Sequence, residues 1–190
     1  GSVCRGRHAE RGVVRAVKVM DGIRGPKGVG RFKREVEHLA RIRHPNVIGL
    51  FDAGVEGTRA YYAMDVVVGE ELAELVEHGP LSLGRALDVM TGVARGVAAL
   101  HAGGVVHRDL KPQNVVLRSD GVPVILDLGL AIAPGQDQRL TKTGAMVGTP
   151  LYMAPEQIFG KPASPRMDVY AMGTILFELV TGTTAVQGTT

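Results

Sequence analysis

His107-Arg108-Asp109-Leu110-Lys111-Pro112-Gln113-Asn114 is followed by Asp127-Leu128-Gly129 and then by Ala154-Pro155-Glu156. These residue types, in this order, suit phosphoryl transfer. A carboxylate must orient an attacking hydroxyl, and oxygen ligands must hold the metal ions that neutralise a polyphosphate. Asp109, Asn114 and Asp127 supply such oxygens. An isolated acid-base pair on a solvated surface would not bring His107, Arg108 and Asn114 along at the same offsets.

Upstream of this stretch, residues 13–20 alternate and are rich in β-branched side chains, which reads as a strand carrying Lys18, ended by the Gly/Pro-rich segment 22–30. Phe32, Val36, Leu39 and Ala40 recur at helical spacing, so the pattern predicts an amphipathic helix over 31–43 that bears Glu35 and stops before Pro45. Residues 47–53 and 59–68 read as two further antiparallel strands with 54–57 as their turn. Ser82 is placed to cap a helix whose stripe is Met90, Val93, Ala94, Val97 and Leu100, ended by Gly103-Gly104. Downstream, Ser164 and Pro165 open a helix over 165–181 with Val169, Met172, Ile175, Leu176 and Leu179 on several sides, the pattern of a buried helix.

The chain has 190 residues, enough for one domain or two small lobes, and 45% of them are hydrophobic, enough for a sizeable core. The formal net charge is +3 and the basic residues are scattered, which argues against a nucleic-acid partner. Cys4 is the sole cysteine, so an internal disulfide is excluded and a reducing, cytoplasmic setting is expected. No apolar run is long enough to span a bilayer, although the parent protein could be anchored through a segment outside this sequence. The six histidines show no metal-ligand spacing, and no zinc site is expected.

The three motifs together resemble the eukaryotic-type (Hanks-type) protein kinase domain, and Lys111, two residues after Asp109, is similar to its bacterial serine/threonine branch. The resemblance implies an α+β fold of two lobes. A small antiparallel-sheet lobe with one helix would occupy 1–67, and a mainly helical lobe would occupy 68–190. Both ends look truncated: Gly1-Ser2-Val3 matches the end of the family's glycine-rich loop, and the family's last helices would follow the buried helix. The implied cofactors are ATP and Mg²⁺.

On this resemblance Asp109 is the catalytic base and Lys111 steadies the transferred phosphate, while Asn114 and Asp127 coordinate the metal. Lys18 would contact the α- and β-phosphates and pair with Glu35. Gly1, Val3, Ala16 and Val116 match nucleotide-covering positions, Met64 the guard of the back pocket, and the backbone from Asp65 to Val67 the purine edge. Leu128 stands where the family has Phe, filling an apolar slot. Leu39, Leu50, Leu128 and His107 would form a packed column anchored by Asp168. Arg108 beside the base resembles kinases switched on by phosphorylation, with Thr141 and Thr143 as autophosphorylation sites and Thr149 shaping the substrate cleft.

The function implied is a protein serine/threonine kinase that transfers the ATP γ-phosphate to Ser/Thr hydroxyls of proteins. Its partners would be those protein substrates and a kinase homodimer for trans-autophosphorylation. The alternative is a catalytically impaired fragment or pseudokinase acting as a binding or scaffold module. A small-molecule phosphotransferase would share the lysine and the metal acids, but its relatives generally lack Ala-Pro-Glu.

Overall fold

The computed structural model of the protein describes residues 2–10, 12–21, 25–128 and 151–186. Its first part is a sheet built from β1 (Ser2–Arg7), β2 (Val14–Asp21), β3 (Leu50–Glu56) and β4 (Arg59–Met64), antiparallel in the order β1-β2-β4-β3. The alternating run expected near 13–20 thus becomes an interior strand. Cross-strand partners share a face of a pleated sheet. The register pairs Val3 with Lys18, Lys18 with Tyr62 and Ala16 with Met64, so these five side chains occupy one face.

Three expectations about this sheet need correction. The third strand begins at Leu50 rather than at 47, because Val47 is bridged to Ile125 and the Ile48 N–H donates to the Ile125 carbonyl at 2.9 Å. Residue 54 is within the strand, and the turn is centred on Gly57, whose φ of 59° lies in the left-handed region. Strand β4 ends at Met64, and residues 65–68 belong to neither strand nor helix.

Helix α1 runs Gly25–Leu39, starting six residues before the expected 31 and ending four before 43. Pro26 falls in its first turn, where no helical hydrogen bond needs the N–H that proline lacks. Phe32, Val36 and Leu39 are buried, as their spacing requires.

The second part opens with β5 (Gly69–Glu71) and α2 (Leu72–Glu77), which has a reciprocal capping box between Glu71 and Glu74. Helix α3 (Leu83–Ala102) is capped by Ser82, whose hydroxyl accepts from the Arg85 N–H at 3.4 Å. Its buried stripe includes Met90, Val93, Val97 and Leu100, but Gly96 takes the place expected of Ala94, which is exposed. A Cβ on Gly96 would lie 2.8 Å from both the Asn46 carbonyl oxygen and Ile125 Cδ1, so only glycine lets the helix approach this closely. Strands β6 (Val115–Arg118) and β7 (Pro123–Ile125) form a hairpin beside β5. Helix α4 (Pro155–Ile158) is a single turn. Helix α5 (Pro165–Thr181) packs against α3, and its Met167, Ala171, Ile175 and Leu179 are buried. Its burial is one-sided: Val169 is 57% exposed and Phe177 44%. Ser164 precedes α5 without a side-chain capping bond, so Pro165 is the feature of the expected start that operates.

One continuous apolar cluster joins both parts, from Phe32, Leu39 and Leu50 through Val97 and Leu128 to Ile175 and Leu179. This α+β arrangement sets the face of the first sheet against the loops that leave α3 and β7.

Candidate active site

Between α3 and β6 the chain must turn sharply while keeping its polar backbone satisfied, and Asp168 does most of that work. Its carboxylate, 1% exposed, accepts the His107 N–H (2.9 Å) and the Arg108 N–H (2.9 Å) on separate oxygens. His101 Nε2 lies 2.7 Å from the same group. Asp168, expected to anchor the packed column that includes His107, thus holds the backbone of His107 and of Arg108. Arg108 is held at φ 65°, a strained region for a residue with a Cβ.

His107 is fully buried. Its Nδ1 accepts from the Asp109 N–H at 3.3 Å and its Nε2–H donates to the Leu126 carbonyl at 2.9 Å. A ring that both accepts and donates is committed to holding two backbone segments together, so the structural role expected for it is the one observed. Leu39, Leu50 and Leu128 are buried in the same core.

A short 3₁₀ turn, Pro112–Asn114, delivers Asn114 to the start of β6. The β6–β7 hairpin then carries the chain out and back, and the Leu126 N–H donates to the Asn114 carbonyl at 2.8 Å. Asn114 and Asp127, far apart in sequence, are in this way presented side by side at the open end of one hairpin. Asp127 adopts φ 50°.

Asn114 donates through Nδ2 to the Asp109 carbonyl at 2.7 Å and, more weakly, to Asp109 Oδ2 at 3.4 Å. Those bonds use the amide nitrogen and leave the amide oxygen as the atom able to face a cation. Lys111 Nζ stands 3.5 Å from Asp109 Oδ2. From the sheet, Lys18 reaches across to Asp127 with Nζ 2.5 Å from Oδ1. Asp109 is thus in direct contact with Lys111 and Asn114, and Asp127 with Lys18, and the backbone bond from Leu126 to Asn114 links the two groups.

The expected pair between Lys18 and Glu35 is not the one formed. Lys18 is engaged by Asp127, and Glu35 lies where Arg108 and Arg31 act on it electrostatically. Burial raises the Glu35 pKa, and the two guanidinium groups offset this only in part. α1 sets Glu35 within electrostatic reach of Arg108.

The nucleotide-facing expectations fall on the sheet face already described, where Val3, Ala16, Lys18 and Met64 share one side. Val3 is 57% exposed, whereas Met64 and Val116 are buried. The Asp65 N–H donates to the Gly49 carbonyl at 3.0 Å. Among the described residues no hydrogen bond uses the Asp65 carbonyl or the Val67 N–H, and both are groups that a purine edge can pair with. Gly1, Gly129, Thr141, Thr143 and Thr149 lie outside the described residues.

Two residues join the site that the sequence reading did not single out. Tyr62, 2% exposed, stands opposite Lys18, and burial together with the Asp127 charge raises its pKa, so its hydroxyl keeps its proton. Gln157 donates through Nε2 to the Arg108 carbonyl at 2.7 Å. Its adjacency to Ala-Pro-Glu is the sole sequence signal.

The oxygen donors of Asn114 and Asp127 suit Mg²⁺, a hard cation often held by one or two protein groups together with substrate phosphates. No cluster of three or more His, Cys, Asp or Glu that could hold a metal occurs among the described residues. One amide oxygen and one carboxylate are the kind of donor set that fits a metal sharing its ligands with a polyphosphate. No helix among the described residues is long and apolar enough to cross a membrane.

Comparison with known proteins agrees with this geometry. The family model described as "Protein kinase domain" matches residues 1–190. The serine/threonine-protein kinase PkaA of Streptomyces coelicolor is 45% identical over 161 residues, covering 81% of this chain and 29% of that protein. The DNA damage-responsive serine/threonine-protein kinase RqkA of Deinococcus radiodurans is 39% identical over 171 residues, 88% of this chain and 26% of its own length. The serine/threonine-protein kinase PknL of Mycobacterium tuberculosis is 36% identical over 176 residues, 91% of this chain and 44% of its own. The chain thus spans between about a quarter and under half of the length of these relatives. With a family match over all 190 residues, the chain belongs to the protein kinase domain family.

Proposed function

We propose that this domain transfers the γ-phosphate of ATP to serine or threonine hydroxyls of proteins. The observation that carries this reading is that Asp109 contacts Lys111 and Asn114, Asp127 contacts Lys18, and the Leu126 N–H bond to the Asn114 carbonyl ties these two groups together. Asp109 accepts and orients the proton of the incoming hydroxyl. The hydroxyl oxygen bonds to the γ-phosphorus as the bond to the bridging oxygen breaks, and ADP leaves. Lys111 balances charge on the transferred group, and Lys18 exchanges its contact with Asp127 for the α- and β-phosphates. Asn114 and Asp127 would hold Mg²⁺, which when bound neutralises phosphate charge. Val3, Ala16, Met64 and Val116 would enclose the adenine, with the backbone of Asp65 and Val67 on its edge.

The preference for serine and threonine is supported by Lys111 and by the relatives' names. The division into lobes at 67/68 follows the stretch that is neither helix nor strand between β4 and β5. A cytoplasmic site of action is supported by the single cysteine.

Transfer of labelled phosphate from ATP to dephosphorylated casein by the full chain tests the base. Asp109→Asn should lower kcat about 10²- to 10⁴-fold while nucleotide affinity is kept. Equal labelling by wild type and variant would refute the assignment. Thr141 and Thr143 are proposed as autophosphorylation sites, modified in trans by a second copy, with Thr149 shaping the cleft. Mass spectrometry after incubation with Mg²⁺ and ATP should find phosphate on Thr141 or Thr143; both unmodified would reject this part.

A further inference from the structure

Arg108 and Asp127 are the non-glycine residues with positive φ among the described residues. A left-handed backbone at a residue with a Cβ persists only where its surroundings hold it. Both peptide groups of Arg108 are held. Its N–H is bound by Asp168 Oδ1 at 2.9 Å, from α5. Its carbonyl is bound by Gln157 Nε2 at 2.7 Å, from α4. That carbonyl belongs to the peptide unit that carries the Asp109 N–H, so the plane in which Asp109 is presented is set by the Gln157 bond. The same plane is met from its other edge by His107 Nδ1, at 3.3 Å, a longer and weaker contact.

The donor sits where it can couple two parts of the site. Gln157 directly follows Ala154-Pro155-Glu156, and none of the residues of α4 is buried. Buried Ala154 fixes the start of that turn, and Gln157 ties the turn itself to the catalytic loop. We propose that Gln157 is a positioning residue for phosphoryl transfer, holding the Arg108 carbonyl so that the aim of Asp109 depends on the placement of the Ala-Pro-Glu segment. This rests on the kinase reading above and adds to it a second clamp, opposite that of Asp168.

The test compares Gln157→Met, similar in length but without an N–H, and Gln157→Glu, which sets a carboxylate oxygen against the carbonyl, in the full chain. Initial rates are measured with Mg²⁺-ATP and dephosphorylated casein, beside Asp109→Asn. Gln157→Met should lower kcat about fivefold, the scale of one neutral hydrogen bond, and Gln157→Glu should lower it further. In both, KM for ATP should stay at the wild-type value, because the nucleotide-binding groups are untouched, and the melting temperature should fall by no more than the few degrees that one hydrogen bond accounts for. A kcat for Gln157→Met within about twofold of wild type, while Asp109→Asn is inactive, overturns this inference alone. So does a kcat loss accompanied by an equal loss of ATP affinity, or by a fall in melting temperature larger than one hydrogen bond accounts for, the mark of a general structural role. Full activity of Asp109→Asn overturns the kinase reading and this inference with it.

Discussion

Glu35 sits half-buried on α1, where desolvation raises its pKa above the ordinary 4.5 and Arg108 and Arg31 pull it back only partly. A carboxyl whose folded value is raised binds its proton more tightly in the native state. The stability it contributes is therefore complete below 4.5 and is lost as pH rises through the raised folded value. Glu35→Gln removes that slope: melting temperatures followed by circular dichroism should show wild type losing ground to the variant between pH 4 and neutrality, and parallel curves would contradict the assigned environment. Lys18, Asp109, Asn114 and Asp127 were legible as candidates because a strand lysine followed by an acid, an amide and a second acid is what phosphoryl transfer would call for. The partner of Glu35 was not, since long charged side chains pair according to how α1 is placed over the loops. The role of Gln157 was equally hidden, because it bonds a backbone carbonyl, and a backbone group leaves no trace in residue identity.

At the scale of elements, the interior glycines of α3 decide how close that helix comes to the hairpin presenting Asn114 and Asp127. Gly96 faces the Asn46 carbonyl oxygen, a backbone atom that cannot swing aside, and a Cβ there would stand 2.8 Å from it. The alanine would gain helix propensity of up to about 1 kcal/mol, but overpacking costs typically about 1–3 kcal/mol and here pushes α3 off β7. Gly96→Ala should lower the urea midpoint and reduce kcat together, since the hairpin shifts with the helix. An unchanged midpoint would show that the helix has room to move. The helices were read well where apolar residues recur at fixed spacing, as in α3. They were read poorly where glycine and proline mask a helical start, as at Gly25–Gly30. Strand limits near Val47 escaped because Val47 pairs with Ile125, a contact set by tertiary packing.

The whole molecule behaves as one packed unit joined across the site. The apolar cluster runs unbroken from α1 and the sheet to α5. Polar ties reinforce it: His38 Nε2–H donates to the Gly103 carbonyl at 2.6 Å, Asn46 Nδ2 donates to the Pro123 carbonyl at 2.7 Å, and Lys18 meets Asp127. The proposed nucleotide site draws Lys18 from the sheet, and Asn114 and Asp127 from the hairpin, so a ligand bound there is linked to the folding of both parts. At a concentration of 100 times Kd, such a ligand stabilises by about 2.7 kcal/mol whatever it touches, provided the parts unfold together. Mg²⁺-ATP should therefore raise a single thermal transition, and amides in α5, which does not supply the nucleotide groups, should gain protection from hydrogen exchange in step with those of β2. Asp127→Asn, which removes the charge of a proposed metal ligand and the Lys18 ion pair, should shrink the Mg²⁺-dependent shift when each protein is compared with its own nucleotide-free melt. Protection confined to β1, β2 and β4, with α5 exchanging as before, would mean that the sheet and the helices unfold separately.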